Sequence, residues 1–145
     1  MLSTKKRVLE ANRWLVEKNL VELTWGNVSY CDREERLIYI KPSGVDLESC
    51  RDHEIACIDF DCSSLSGLQP SVDAPTHIEI YKSFPNVKSV VHTHSRYATI
   101  FAQASLPIPC VGTTHADYFY GEIPCIEPPN ERHTTEGYEK FTGLQ

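Results

Sequence analysis

Two runs rich in Val, Ile, Thr, Tyr and Trp, Leu20 to Cys31 and Arg36 to Lys41, flank the charged stretch Asp32-Arg33-Glu34-Glu35, and a segment of helical period precedes them. Paired strand-type runs about a short polar link read as a β-hairpin. In the preceding segment, Ser3 to Lys18, Val8, Ala11 and Leu15 recur at the helical period with Leu9 and Trp14 alongside; Ser3 can cap its start and Asn19 can end it. Strand and helix patterns then alternate. Ile55 to Phe60 is a third apolar run, ahead of the Ser/Gly-rich stretch Cys62 to Ser71. Pro75 suits a first helical turn, and Ile78, Ile80, Tyr81 and Phe84 give that second helix an apolar face. Val87 to Val91 is a short buried strand, Ser95 can cap a third helix through Ala104, and apolar segments recur at Ile108 to Val111 and Gly121 to Ile126. Helices interleaved with hairpin-type strands predict an α/β layered domain, and 145 residues, 41% hydrophobic, suit one domain over residues 1–145.

The charge balance narrows the partners. Fourteen Lys and Arg against twenty Asp and Glu leave a net charge of -6, which argues against a broad basic face for nucleic acid. Nowhere do apolar residues run for the roughly 20 positions that a membrane-spanning helix needs, and the basic N-terminus lacks a signal-type apolar core. The six cysteines form no C-x-x-C pair and read as free thiols of a reducing cytosol, so a cytoplasmic protein is expected.

His92-Thr93-His94 lies at the end of an apolar strand, where residues two apart share a face, so both imidazoles can reach a single metal. The alternative is a pair of surface histidines. Asp73 is a candidate third ligand, since one carboxylate and two imidazoles suit Zn²⁺, Mn²⁺ or Co²⁺; taken alone, it reads as a helix N-cap. His77, one helical turn on, can help Asp73 or simply pack. Lys41-Pro42-Ser43-Gly44 joins a cation, a hydroxyl and a bare backbone N–H, the parts of a small phosphate cradle, though an ordinary Pro-Ser-Gly turn has the same residues. Gly26, inside a strand pattern, marks a bulge or the close approach of a ligand or another backbone. The run Thr113 to Gly121 mixes His115 and Asp117 with three aromatics, a composition suited to a semi-enclosed site or a subunit interface.

Five motifs in order, TWGNVS at 24–29, KPSGV at 41–45, DAPTH at 73–77, HTHS at 92–95 and TTHADYFYGEIPC at 113–125, closely resemble the L-ribulose-5-phosphate 4-epimerases of the class II aldolase/epimerase superfamily. The likeness runs from the first helix to about Gly143. It implies a three-layer α/β domain whose central, mainly antiparallel sheet is flanked by helices. It also implies a Zn²⁺ site at Asp73, His92 and His94, a sugar phosphate held by Ser43, the Gly44 backbone and Ser71 with Asn27 and Lys41 nearby, and Asp117 as an acid/base between subunits of a homotetramer. The implied reaction interconverts L-ribulose 5-phosphate and D-xylulose 5-phosphate by breaking and re-forming the C3–C4 bond; the superfamily also includes sugar-phosphate aldolases.

The sequence departs from the epimerase pattern at two places. Val72 stands where the epimerases usually offer a second serine to the phosphate, and the chain stops at Gln145, soon after Tyr138-Glu139, where the family pattern continues with a further metal-binding histidine and an acid/base tyrosine. The expectation is a C-terminally truncated domain with an unfilled sheet edge, either an epimerase completed by a second chain or an impaired metal-binding or oligomer-modulating relative.

Overall fold

Strands β1 (Asn27–Asp32) and β2 (Leu37–Ile40) form the expected hairpin in the computed structural model, which describes residues 3–126. The charged link makes the turn: Asp32 Oδ1 accepts from the Glu34 and Glu35 amides, and Arg36 takes φ 57°. β3 (Ala56–Ile58), β4 (Ser64–Ser66) and β5 (Ser89–His92) complete a five-stranded sheet of order β4-β3-β2-β1-β5, antiparallel at every pairing. The helices are α1 (Thr4–Glu17), α2 (Ala74–Ser83), α3 (Arg96–Gln103) and α4 (Thr113–Tyr118).

The chain divides into two compact units at His94/Ser95. The first is three layers deep. Cys31, Ile38, Ile40, Ala56 and Ile58 bury one sheet face against Ala74, Ile78 and Tyr81 of α2. Val8 and Leu9 of α1 pack with Leu47, Cys50 and Ile55, and the half-buried rings of Tyr30 and Tyr39 join them from the opposite face. The two-residue alternation along β1 and β2 thus sends alternate side chains to α2 and to α1. Ser3 caps α1 by accepting from the Lys6 amide, and Asn19 leaves the helix at φ 55°, both as the sequence implies.

Five readings need correction. The strand expected to be buried at Val87 to Val91 is β5, at the edge of the sheet, and it leaves Ser89 and Val91 exposed. The first strand starts at Asn27 rather than Leu20, because Leu23 and Gly26 take φ 52° and 74° and break the extended run. A strand, β4, lies inside the Ser/Gly-rich stretch, where weak side-chain signal conceals backbone pairing with β3. Ser95 stands at the start of α3 but makes no capping hydrogen bond. Thr113–Tyr118, whose composition suggests a site but no element, is helical. In the second unit α3 and α4 accompany an isolated bridge between Ile108 and Ile123, and α3 buries no residue. Among the described residues no helix is long and apolar enough to cross a membrane, and all six cysteines are unpaired.

Candidate functional site

The β1–β5 register sets Asn27 directly opposite His92, and directly opposed residues project from one face. Asp73 stands at the start of α2 beside them. Its side chain makes no capping bond to the helix; instead Asp73 Oδ2 accepts from Asn27 Nδ2 at 2.7 Å, His92 Nδ1 at 3.0 Å and Ser71 Oγ at 3.2 Å. The cap reading of Asp73 therefore gives way to a carboxylate turned toward the sheet. The His92 and His94 rings lie 4.8 Å apart, and Trp25 packs on His94 at 5.7 Å. Gly26 is where a backbone comes close: a Cβ there would meet the His92 carbonyl oxygen at 2.8 Å, and its φ of 74° suits glycine.

The cradle residues meet because two loops are laced together. The Ser43 amide donates to the Gln69 carbonyl, the Ser71 amide donates to the Lys41 carbonyl, and Pro42 and Pro70 form a β-bridge. Ser43 and Gly44 are exposed, and Gly44 takes φ 65° with open space where a side chain would be. Ser43's own N–H is used by Gln69. Lys41 is buried, with its ammonium donating to the carbonyls of Thr24 and Pro42, so it ties the Trp25–Asn27 segment to the cradle from below.

Electrostatics separate the titrating groups. Burial raises the Asp73 carboxyl, but the hydrogen bond and charge of His92, with the Asn27 amide, outweigh it and bring the carboxyl down to about 2. Burial lowers His94, and the neighbouring His92 lowers it further. His77 is 1% exposed, and burial holds it down to about 4. Its Nδ1 lies 2.7 Å from Ser29 Oγ, which lies 2.6 Å from the Tyr81 hydroxyl, while His77 Nε2 has no hydrogen-bond partner among the described residues. Burial also lowers Lys41.

The structure thus brings together Asn27, Ser71, Asp73 and His92 by hydrogen bonds, stacks His94 on His92, and sets Ser43, Gly44 and Lys41 in loops laced to Ser71. Asp117 lies exposed on α4 in the second unit, and His115 Nε2 lies 2.9 Å from the Gly121 carbonyl oxygen. His133, Tyr138 and Glu139 fall outside the described residues. Sequence reasoning missed two contributors. Trp25 is overshadowed by its Gly and Asn neighbours, although an aromatic two residues before a site asparagine is a usable signal. The Ser29–Tyr81 support of His77 crosses from β1 to α2 and leaves no local trace.

One carboxylate and two imidazoles are a donor set that fits Zn²⁺ or a similar divalent ion. Among the described residues, however, no three His, Cys, Asp or Glu side chains converge as a preformed cage, and His92 and Asp73 are bonded to each other. To bind a cation through that Oδ2, Asp73 must exchange one of these bonds for it.

The model of the class II aldolase and adducin N-terminal domain matches residues 6–140. Among solved structures, an L-fuculose 1-phosphate aldolase superposes with a TM-score of 0.85 at 27% identity, covering 99% of this chain and 68% of that one. YgbL of Klebsiella pneumoniae, a putative aldolase/epimerase/decarboxylase, gives 0.78 at 21% identity over 97% and 69% of the two chains. The L-fuculose-1-phosphate aldolase of Thermus thermophilus gives 0.72 at 20% over 94% and 69%. With a family match spanning nearly its whole length and the layered antiparallel sheet those structures share, the chain belongs to the class II aldolase and adducin N-terminal domain family.

Proposed function

We propose that this chain carries a phosphosugar site that breaks and re-forms a carbon–carbon bond, with L-ribulose 5-phosphate and D-xylulose 5-phosphate as its pair of substrates. The observation that carries the reading is the hydrogen-bonded continuity from the Ser71 side of the cradle through Asn27 to Asp73 and His92. It joins groups fit to hold a phosphate to groups fit to hold a divalent cation. Ser43, the Gly44 amide and Ser71 receive the phosphate; Lys41 and Asn27 hold the loops around it. Asp73, His92 and His94 are the residues that would hold Zn²⁺, Mn²⁺ or Co²⁺. Such a cation, when bound, supplies electrophilic stabilisation of oxygens beside the bond being broken.

The chain's own groups set the remaining chemistry. His94, lowered by burial, stays neutral near pH 7 and so remains a ligand rather than a competing cation. The Trp25 ring on one side of His94 limits its rotation. Asp117 serves as the acid/base group at the C4 oxygen, in an assembly that brings it to a site of this kind. We assign the reaction to a reducing cytosol, in keeping with six unpaired thiols, and to a homotetramer.

A second reading, aldol cleavage of a deoxysugar 1-phosphate, is favoured by the 27% identity to an L-fuculose 1-phosphate aldolase. Incubation with L-ribulose 5-phosphate and Zn²⁺, followed by ¹³C NMR, separates the two. Formation of D-xylulose 5-phosphate without accumulating aldehyde is expected, and Ser43→Ala raises KM more than it lowers kcat. Cleavage of L-fuculose 1-phosphate with no epimerisation of L-ribulose 5-phosphate replaces the first reading by the second.

A further inference from the structure

Ser71 Oγ has its hydrogen-bonding capacity filled. It accepts from Asn27 Nδ2 at 3.2 Å and from the Asp73 amide at 3.3 Å, and it donates to Asp73 Oδ2 at 3.2 Å. A hydroxyl has one proton and two lone pairs, so no donor is left for a further acceptor. Ser71, though buried, is nonetheless joined to the loop that carries the exposed Ser43–Gly44 turn by its amide's bond to the Lys41 carbonyl. Its single proton has two claimants.

We propose that Ser71 is a one-proton switch: a phosphate group entering the Ser43–Gly44 cradle takes the Ser71 hydroxyl away from Asp73, and the freed carboxylate binds a divalent cation more tightly. The inference rests on the phosphosugar reading above. The Ser71 bond is the longest of the three that Asp73 Oδ2 accepts, which makes it the one most easily exchanged; the Asn27 bond, at 2.7 Å, is the shortest. Asn27 is 2% exposed and its Nδ2 bonds both Ser71 and Asp73, so the two side chains keep a common anchor while the hydroxyl turns. A carboxylate oxygen that loses a donor carries less compensated charge, and a cation restores the balance. The site therefore binds its metal more tightly when a phosphorylated ligand is present. Because coupling is reciprocal, the cation tightens the phosphate by the same factor.

The test is calorimetric titration of the full chain with Zn²⁺ against a competing chelator, at fixed ionic strength, with and without saturating methyl phosphate. Methyl phosphate is expected to tighten Zn²⁺ about five- to fiftyfold, with the same factor for methyl phosphate when Zn²⁺ is saturating. In Ser71→Ala only the direct charge attraction between the two ligands remains, and the factor falls at least about threefold below that of the wild type. Ser71→Cys, close in shape and a much weaker donor, carries the same comparison where the alanine variant does not fold. Binding of both ligands with a factor of one, or an equal factor in wild type and variant, overturns the switch and leaves the phosphosugar reading standing. Failure of the wild type to bind either Zn²⁺ or methyl phosphate overturns both.

Discussion

Asp73 occupies the position of a helix cap and does something else. Its neighbour Pro75, in the first turn of α2, contributes no N–H, and the carboxylate is free to turn toward donors from β1 and β5. The strand-end pattern of His92 and His94 was readable because period two is a local property of sequence. What Asp73 bonds to was not, since Asn27 and His92 reach it across a register that no local pattern sets. His77 shows the same limit, and it has a pH consequence. Burial holds it down to about 4, against the ordinary 6.5, so the unfolded chain takes up that proton more readily. The stability it contributes is complete above about pH 6.5 and is lost as pH falls from there through 4, with a slope of up to about 1.4 kcal/mol per pH unit. His77→Gln is expected to show a shallower loss over that window in urea titrations. Parallel curves for the two proteins contradict the buried, neutral state of His77.

Among the elements, α1 was the most legible: its period, its Ser3 cap and its Asn19 exit are all in the sequence. How it attaches was not. The β1–β2 register begins at Ser29 and leaves the Val28 amide and carbonyl outside that ladder. Asn12, fully buried, takes both: its Oδ1 accepts from the Val28 amide at 2.8 Å and its Nδ2 donates to the Val28 carbonyl at 3.1 Å. A polar residue in the buried stripe of α1 thus bonds the helix to the strand that carries Asn27. Asn12→Ala leaves two backbone groups buried without partners and is expected to cost about 2 to 4 kcal/mol in chemical denaturation. A loss below about 0.5 kcal/mol, the range of ordinary surface changes, contradicts this account of the joint. β4 escaped detection for the opposite reason. Ser64, Leu65 and Ser66 are all exposed, so the strand is held by backbone pairing with β3, and neither face supplies an apolar alternation to read.

At the scale of the whole molecule, the layered α/β architecture followed from interleaved periodicities, and the family match rests on nearly the full length. The second unit leaves large side chains in solvent, with Val111 at 89%, Tyr118 at 88% and Tyr97 at 77% exposure. Contact with further copies of the chain, as the proposed homotetramer has it, would cover such side chains. Sedimentation velocity at micromolar concentration is expected to give a species larger than one 16.5 kDa chain, and Tyr118→Asp to shift it toward the monomer. A single monomeric boundary in the wild type contradicts the proposed homotetramer.

The functional proposal depends on Asp73, His92 and His94 acting together on one divalent ion. Zinc content per chain, measured by mass spectrometry after equilibration with Zn²⁺ and saturating methyl phosphate and desalting in the same methyl phosphate, tests this directly. About one zinc per chain is expected in the wild type, held by one carboxylate and two imidazoles, and loss of that zinc is expected in the double variant His92→Ala/His94→Ala. Stoichiometric zinc that survives the double substitution places the metal elsewhere and contradicts the site.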